Sequence, residues 1–193
     1  MGTIRGEIGG EATGTIGDVT ISSWKGMKVI KRKRGPSTKP KTPAQQAQND
    51  VFSAASEFAG SLAKEEEAIY KKLAEGKPTT WRAVAMQDKL TPPIISRVMA
   101  DNYHGHAGDS IEVFVHDTTC VKVEVTIYNP EGAAEGEPGV EVEAGDAERV
   151  NPNSDARWIY HAQQEFAGAA FVLEINARDL ARNLTTHTLE GDL

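Results

Sequence analysis

The chain has 193 residues, of which 39% are hydrophobic, 25% charged and 6% aromatic, and its formal net charge is −7. This length supports one ordinary domain or two small ones without cross-links. The single cysteine, Cys120, excludes an intrachain disulfide framework and a cysteine-based zinc finger. No apolar run is long enough to span a bilayer, and none near Met1 resembles a secretory signal, so we expect no membrane span and leave the location open.

Residues 1–34 are predicted to form a Gly-rich β segment. Glycines separate β-branched residues, a pattern typical of short strands joined by tight turns, and the part from Met27 to Arg34 predicts a further strand. The apolar residues expected to take part in strand addition are Ile4, Ile8, Ile16, Val19 and Ile21, and the basic residues are Lys28, Lys31, Arg32, Lys33 and Arg34. Because so small a segment buries little surface alone, we expect it to join another sheet.

The basic stretch has two interpretations. Lys and Arg commonly protect an exposed edge strand from unwanted pairing, and this interpretation is favoured. The same residues, within the stretch 25–41, would also neutralise nucleic-acid phosphates in a salt-dependent way. The negative net charge, the few aromatic residues and the lack of a recognition motif disfavour nucleic acid, which stays the alternative function.

Residues 35–42 predict a Pro-rich linker, and residues 43–91 predict a helical region. Thr42 is a typical N-cap and Pro43 a favoured first helical residue, whereas Gly60 and Ser61 interrupt the helical pattern. The apolar positions assigned to buried faces are Ala47, Val51, Ala55, Phe58 and Leu62 in the first helix, Leu62, Ile69 and Leu73 in the second, and Trp81, Val84 and Ala85 in a third that starts at Thr80. Three short helices predict a small antiparallel bundle.

Residues 92–193 predict an antiparallel, immunoglobulin-like β-sandwich, which makes the fold class α+β. Four segments alternate apolar and polar residues with the period of a strand, and turn-forming residues separate them. Their apolar positions are Ile111, Val113 and Val115; Val121, Val123, Val125 and Ile127; Trp158, Tyr160 and Ala162; and Phe171, Leu173, Ile175 and Ala177.

These residues together resemble a set of prokaryotic proteins of unknown function. The resemblance rests on the Gly-rich start, the Trp24-Lys25-Gly26 step, the basic strand and the Pro-x-Thr-x-x-Gln pattern from Pro40 to Gln45. It continues through two helices and a Pro-Pro linker into an immunoglobulin-like domain with W-x-Y at Trp158 to Tyr160. The resemblance implies a place among phage-like or surface proteins, and it implies no activity.

Two segments carry weaker metal hypotheses. His104 and His106, flanked by Asp101 and Asp109, are suitable ligand types for a divalent metal, but a solvated turn is favoured. The acidic run from Glu131 to Glu148 lacks the ligand order of an EF-hand, so a solvated loop is favoured over a calcium site.

The remaining candidates are interpreted as core residues. Cys120 has no basic neighbour except Lys122 that would stabilise a thiolate. Trp24, Trp81 and Trp158 are interpreted as core or interface anchors, with carbohydrate binding by Trp158 kept as an alternative. The sequence also lacks G-x-S-x-G, G-x-x-x-x-G-K-[ST] and G-x-G-x-x-G, so no enzyme activity is expected.

The charge distribution suggests the function. Residues 1–49 hold nine Lys and Arg against three Asp and Glu, a net +6, whereas residues 101–193 hold five against eighteen, a net −13. Opposite charges attract within a molecule or between copies, and Glu141, Glu143 and Glu148 are the predicted acidic partner face. We expect a non-enzymatic structural or interaction protein of a virion, filament or cell surface, without cofactor, metal or small-molecule substrate, that binds copies of itself or other structural proteins.

Overall fold

The computed structural model describes residues 13–24, 27–33, 35, 40–134, 137–151 and 156–193, and at Trp24 and Lys28 it describes the backbone alone. The chain divides into two compact units, Met1–Asp50 with Gly76–Pro78, and Val51–Glu75 with Thr79–Leu193. Helices and antiparallel sheets are both present, and strands predominate. The predicted mixture of helix and antiparallel sheet is therefore confirmed at this coarse level.

The described part of the Gly-rich segment is a three-stranded antiparallel sheet. Its strands are β1 (Gly14–Ile16), β2 (Val19–Trp24) and β3 (Met27–Arg32), in the order β1-β2-β3. Gly17 has a φ of +53° in the turn after β1, a conformation that glycine adopts without strain. The strand predicted in the basic stretch is confirmed, whereas Ile4, Ile8 and Arg34 lie outside the described residues.

Three helices follow: α1 (Pro43–Ser61), α2 (Lys64–Ala74) and α3 (Trp81–Leu90). The predicted start of α1 is confirmed by a capping box. The backbone N–H of Thr42 donates to Gln45 Oε1 at 3.0 Å, and the N–H of Gln45 donates to Thr42 Oγ1 at 3.3 Å. The Thr80 hydroxyl caps α3 in a similar way by accepting from the Ala83 N–H at 3.2 Å.

The assignment of helix residues to buried faces is partly wrong. Val51 is 51% exposed and Ile69 is 46% exposed, whereas Tyr70 is fully buried. The helical core consists of Ala59, Tyr70 and Ala85, with Phe58, Leu62, Leu73, Trp81, Val84, Met86 and Leu180 packed against it. Since Leu180 follows a strand of the sandwich described below, the core of the helices includes a residue from that sandwich.

Within the described part of residues 94–192, eight strands form two antiparallel four-stranded sheets. The strands are β4 (Ile94–Asn102), β5 (Ser110–His116), β6 (Cys120–Asn129), β7 (Val140–Asp146), β8 (Glu148–Arg149), β9 (Arg157–His161), β10 (Ala170–Asp179) and β11 (Leu184–Asp192). The sheets have the orders β4-β5-β9-β8 and β11-β10-β6-β7. Apolar residues from both sheets share one core, so the two sheets form a sandwich.

The predicted alternation along β6 and β10 is confirmed at the core and wrong at one end. Val123, Val125, Ile127, Leu173 and Ile175 are all fully buried. Val121, predicted to point inward with them, is 56% exposed. The pairing passes from Arg178 with Lys122 directly to Asp179 with Cys120, so Val121 is the extra residue of a β-bulge, which reverses the alternation there.

Candidate interaction surfaces and a buried carboxylate cluster

The N-terminal sheet has one apolar face. Val19 pairs with Ile16 and with Arg32, and Ile21 pairs with Gly14 and with Ile30, so these side chains share a face. On this face Ile16 is 42% exposed, Val19 37% and Ile30 69%, while Ile21 is half-buried. The structure thus brings together the predicted Ile16, Val19 and Ile21, and adds Ile30, which the sequence analysis missed. We call Ile16, Val19, Ile21 and Ile30 the apolar face.

The predicted basic residues do not form a single track. Arg32 lies on the side of the sheet that carries the apolar face, and Lys31 pairs with Thr20 on the opposite side. Lys28 pairs with Ser23 in the backbone register. Lys33 follows the strand, and its N–H donates to the Asp18 carbonyl at 2.6 Å. Among the described residues, β3 is an edge of its sheet, and these basic residues lie on or next to that edge strand.

The predicted acidic partner face is only partly formed. Glu141 in β7 and Glu148 in β8 are exposed, but Glu143 is 6% exposed and cannot belong to an open face. Its Oε2 accepts the backbone N–H of Gln163 at 3.0 Å and that of Gln164 at 2.9 Å. Glu143 therefore fixes the loop after β9, because a buried carboxylate is stable only with donors of this kind.

The prediction of an acidic loop from Glu131 to Glu148 is also partly wrong. Residues 140–146 form β7, so a large part of the run from Glu131 to Glu148 is a strand. Along this strand Glu141 is exposed and Glu143 is buried. The sequence suggested a loop because glycines and glutamates there hide the alternation of apolar residues.

The histidine segment is a hydrogen-bonded turn on the surface. Asp109 Oδ2 accepts the backbone N–H groups of His104 and His106 at 2.7 and 2.9 Å, and these bonds lower the pKa of Asp109. His106 Nδ1 lies 3.0 Å from Glu165 Oε2, and this hydrogen bond raises the pKa of His106. The carboxylate of Asp109 is thus occupied by the turn itself, as in a solvated turn.

Two other predicted residues belong to the core. Cys120 is buried, and burial raises the pKa of its thiol to about 11, so it behaves as a small apolar residue at neutral pH. Trp158 is 5% exposed, with the Arg149 guanidinium 4.7 Å from its ring centre. A carbohydrate platform needs an exposed ring, so that alternative is wrong for Trp158.

The sequence analysis missed a cluster of three carboxylates at one end of the sandwich. Asp88 lies on α3, Asp117 lies between β5 and β6, and Asp179 ends β10. Each offers one oxygen, and these oxygens lie within 4.8 Å of one another. We call these three residues the carboxylate cluster.

Hydrogen-bond donors from three elements surround the carboxylate cluster. The Tyr70 hydroxyl of α2 donates to Asp88 Oδ2 at 2.5 Å, and the N–H and side-chain amide of Asn183 donate to the two oxygens of Asp179 at 2.7 and 2.8 Å. The Thr119 N–H donates to Asp117 Oδ1 at 2.8 Å. Asn183 Nδ2 also donates to the Asp88 carbonyl at 2.9 Å, so the cluster joins α3 to the turn after β10.

The Thr119 hydroxyl lies between two carboxyl groups of the cluster. Its hydroxyl oxygen lies 2.5 Å from Asp88 Oδ1 and 2.7 Å from Asp117 Oδ1. A hydroxyl has one proton to donate, so the second contact is a hydrogen bond only when a carboxyl group is protonated. Burial is the main cause that raises the pKa of both Asp88 and Asp179, and neighbouring carboxylates add to it, which favours that protonated form.

Five of the six carboxylate oxygens of the cluster therefore accept or share hydrogen bonds, and Asp117 Oδ2 is buried without a partner in the described structure. This arrangement is a cross-link between helices and sandwich. The available sequence signal was weak, because Asp117, Thr119, Asp179 and Asn183 resemble ordinary turn residues at strand ends. Only the packing of α3 against these turns reveals their shared role.

Comparison with known proteins gives little further information. No family model matches the chain, and no curated protein matches it. Among solved structures, the crystal structure of CopC from Methylosinus trichosporium OB3b is similar with a TM-score of 0.38 and 11% identity, over 51% of this chain and 89% of that one. At that score nothing about fold or function follows. In the part of the chain that the structure describes, no helix is long and apolar enough to cross a membrane.

Proposed function

We propose that this protein is a non-enzymatic structural or interaction protein that associates with copies of itself through its N-terminal sheet. The observation that carries the proposal is the apolar face. Ile16, Val19 and Ile30 are large apolar side chains on adjacent strands of one sheet, and all three are exposed. A contiguous exposed apolar surface bordered by charged residues marks an interaction site.

The energetics favour association over an isolated sheet. A three-stranded sheet needs an apolar face that is covered to be stable in water. Covering Ile30, which is 69% exposed, would contribute about 2 kcal/mol. The open backbone of β3 and its basic residues would add hydrogen bonds and attraction to an acidic partner.

We also propose that the sandwich is immunoglobulin-like. The support is the strand order: β4-β5-β9-β8 parallels the A-B-E-D sheet of such domains, and β11-β10-β6-β7 parallels the G-F-C sheet with one added strand. Domains of this kind often serve in assemblies. A virion, a filament or a cell surface stays the predicted setting, as the resemblance to phage-like and surface proteins implies.

The proposal is tested by one pair of variants of the full chain. Ile30→Thr removes apolar surface from the apolar face, and Met27→Thr removes a comparable exposed side chain, 46% exposed, from the opposite face of the same strand. We expect Ile30→Thr to weaken association about tenfold or more, and Met27→Thr to leave it nearly unchanged. Threonine suits a strand, so neither change should unfold the sheet.

Sedimentation velocity of the wild type and both variants over a range of concentrations measures the effect. A wild type that stays monomeric at every concentration would overturn the proposal. Equal weakening by both variants would show that association does not depend on the apolar face.

A further inference from the structure

The sandwich has a groove at the edge where β4 and β11 face each other. These strands belong to different sheets and are both edge strands. They are joined at one end, where the Thr185 hydroxyl donates to the Pro93 carbonyl at 2.6 Å. Towards Asp101 and Asp192 they enclose a groove of about 490 Å³. The groove is therefore closed at the start of β4 and open at its end.

The two strands that border the groove differ in their capacity to pair. β11 pairs with β10 over nine consecutive residues without a register shift. β4 pairs with β5 through two irregularities, between Ile95 and Arg97 and between Met99 and Asn102. Bulges disrupt a hydrogen-bonding edge, whereas a regular edge presents alternate N–H and C=O groups to a further strand. β11 is thus the edge that can accept a strand.

The faces of β11 are distinct. Leu189 packs against the sandwich core, and Gly191 is half-buried, whereas Glu190 and Asp192 are exposed. A side chain at Gly191 would place its Cβ 2.5 Å from the Phe171 ring, so the glycine leaves room for that buried ring on the inner side. A strand added to β11 would meet apolar surface on one side and two carboxylates on the other.

The strand β3 matches this arrangement. Ile30 and Lys31 are adjacent and therefore point to opposite faces of β3. With Ile30 on the inner side, the apolar face continues the inner surface of the sheet towards Val98 of β4, which packs on the sandwich core. Arg32, two residues after Ile30, then lies on the inner side as well. Lys31 then lies on the outer side with Glu190 and Asp192. Of the charged residues at the groove, Asp101, Glu190 and Asp192 attract a basic strand, and Arg97 repels it.

We propose that β3 of one copy adds to the free edge of β11 of a second copy, with Ile30 in the groove and Lys31 beside Glu190 and Asp192. This inference rests on the proposed self-association and names its acceptor. It differs from the acceptor expected from the sequence, because β7, which carries Glu141, is the opposite edge of the same sheet. Strand addition at one edge joins different surfaces of two copies, so it extends to chains of subunits.

A charge exchange in the full chain tests the acceptor. Lys31→Glu in one variant and Glu190→Lys with Asp192→Lys in a second should each weaken self-association about tenfold or more, because like charges then meet at the junction. Mixing the two variants should restore association. In the mixture, the glutamate that replaces Lys31 meets the introduced lysines, and the native Lys31 meets the native Glu190 and Asp192. Glu141→Lys is the matched control on the other edge and should associate like the wild type.

The outcomes separate the two proposals. If Ile30→Thr weakens association but the β11 variant associates like the wild type, the N-terminal sheet is an interface and β11 is not its acceptor. Weakening by Glu141→Lys instead would assign the acceptor to β7. If each variant is weakened and the mixture is not restored, the pairing of Lys31 with β11 is wrong. Circular dichroism of each variant confirms that it is folded.

Discussion

Val121 and Val125 are the same residue type on the same strand, yet their environments differ completely. Val125 is fully buried between the sheets, and Val121 is 56% exposed because it occupies the bulge opposite Asp179. The contribution of a valine to stability depends on the surface that folding removes from water and on the cavity that its truncation leaves. Truncating each valine in turn therefore measures the effect of burial on stability with the residue type held constant.

We expect Val125→Ala to lower the free energy of unfolding by about 1–3 kcal/mol and Val121→Ala to change it by less than about 0.5 kcal/mol. Urea denaturation followed by circular dichroism measures both, with the m-value checked for constancy. Lys122→Ala is a second control, because its side chain is 43% exposed and ion pairs at such a site, here with Glu124 and Asp146, contribute little in water. Equal losses from Val125→Ala and Val121→Ala would contradict the bulge.

Glu141 and Glu143 show a limit of residue-scale prediction. Both are glutamates on one strand, and a glutamate is ordinarily assigned to solvent. Only the position of the loop after β9, whose Gln163 and Gln164 N–H groups face β7, accounts for the burial of Glu143. The donors are backbone groups, which every residue except proline carries, so the sequence contains no signal for them.

At the scale of elements, the carboxylate cluster determines how α3 meets the turns at the end of the sandwich. Asp88 comes from the helix, and Asp117 and Asp179 come from two turns. Lys89 Nζ adds a charge-assisted bond to the Ala181 carbonyl at 2.9 Å, and Arg149 Nη2 donates to the Cys120 carbonyl at 2.6 Å. Both cations thus bind backbone carbonyls that lie close in sequence to Asp179 and Asp117.

The cluster predicts a specific pH dependence of stability. Burial raises the pKa of Asp88 and Asp179 in the folded protein, so the folded state binds protons more tightly than the unfolded state. Their contribution to stability is complete below the ordinary carboxyl pKa and is lost as the pH rises through the raised pKa. We therefore expect Asp88→Asn, which cannot ionise, to gain stability relative to the wild type at pH 7 and to lose that advantage as the pH falls.

Urea denaturation of the wild type and Asp88→Asn at several pH values between about 4 and 7.5 tests this. Glu57→Gln on the exposed surface of α1 is the control and should leave the pH dependence of the wild type unchanged. Parallel curves for Asp88→Asn and the wild type would show that Asp88 has no unusual affinity for its proton.

The strands that the sequence did and did not reveal differ in their position in the sheets. The four predicted strands are β5, β6, β9 and β10, which are the two central strands of each sheet, and β4, β7, β8 and β11 are the edges. A central strand buries one face along its length and so alternates clearly. Edge strands carry polar residues on both faces, as the sequence of β11, LTTHTLEGD, shows. The alternation of apolar and polar residues that identifies a strand is then lost.

The helices were predictable for a different reason. Their ends carry local signals, such as the capping pair Thr42 and Gln45, which act within one turn of the chain. Their buried faces were less predictable, because the burial of Tyr70 depends on its packing with α3, and its hydroxyl needs Asp88, eighteen residues away. The carboxylate cluster and the groove beside β11 likewise arise from contacts between distant segments.

For the whole molecule, the separation of charge is the feature that the proposed assembly uses. The basic residues belong to the N-terminal part of the chain, and the acidic excess belongs to residues 101–193. In the described structure, Lys31 and Arg32 point to opposite faces of β3. A phosphate backbone is best followed by basic groups on a single face, whereas a strand that pairs with an acidic edge can use both faces.

This difference gives the last prediction, which concerns the nucleic-acid alternative. If the stretch 25–41 bound phosphates, replacing Lys31, Arg32 and Lys33 by Gln would weaken binding to random duplex DNA and reduce the slope of log K against log salt by about three. We expect instead that the wild type binds duplex more weakly than micromolar at physiological salt, since the net charge of −7 repels it. Fluorescence anisotropy with a labelled duplex at several salt concentrations measures both quantities. Micromolar binding at physiological salt, lost in the triple variant, would make nucleic acid the better explanation of the basic strand.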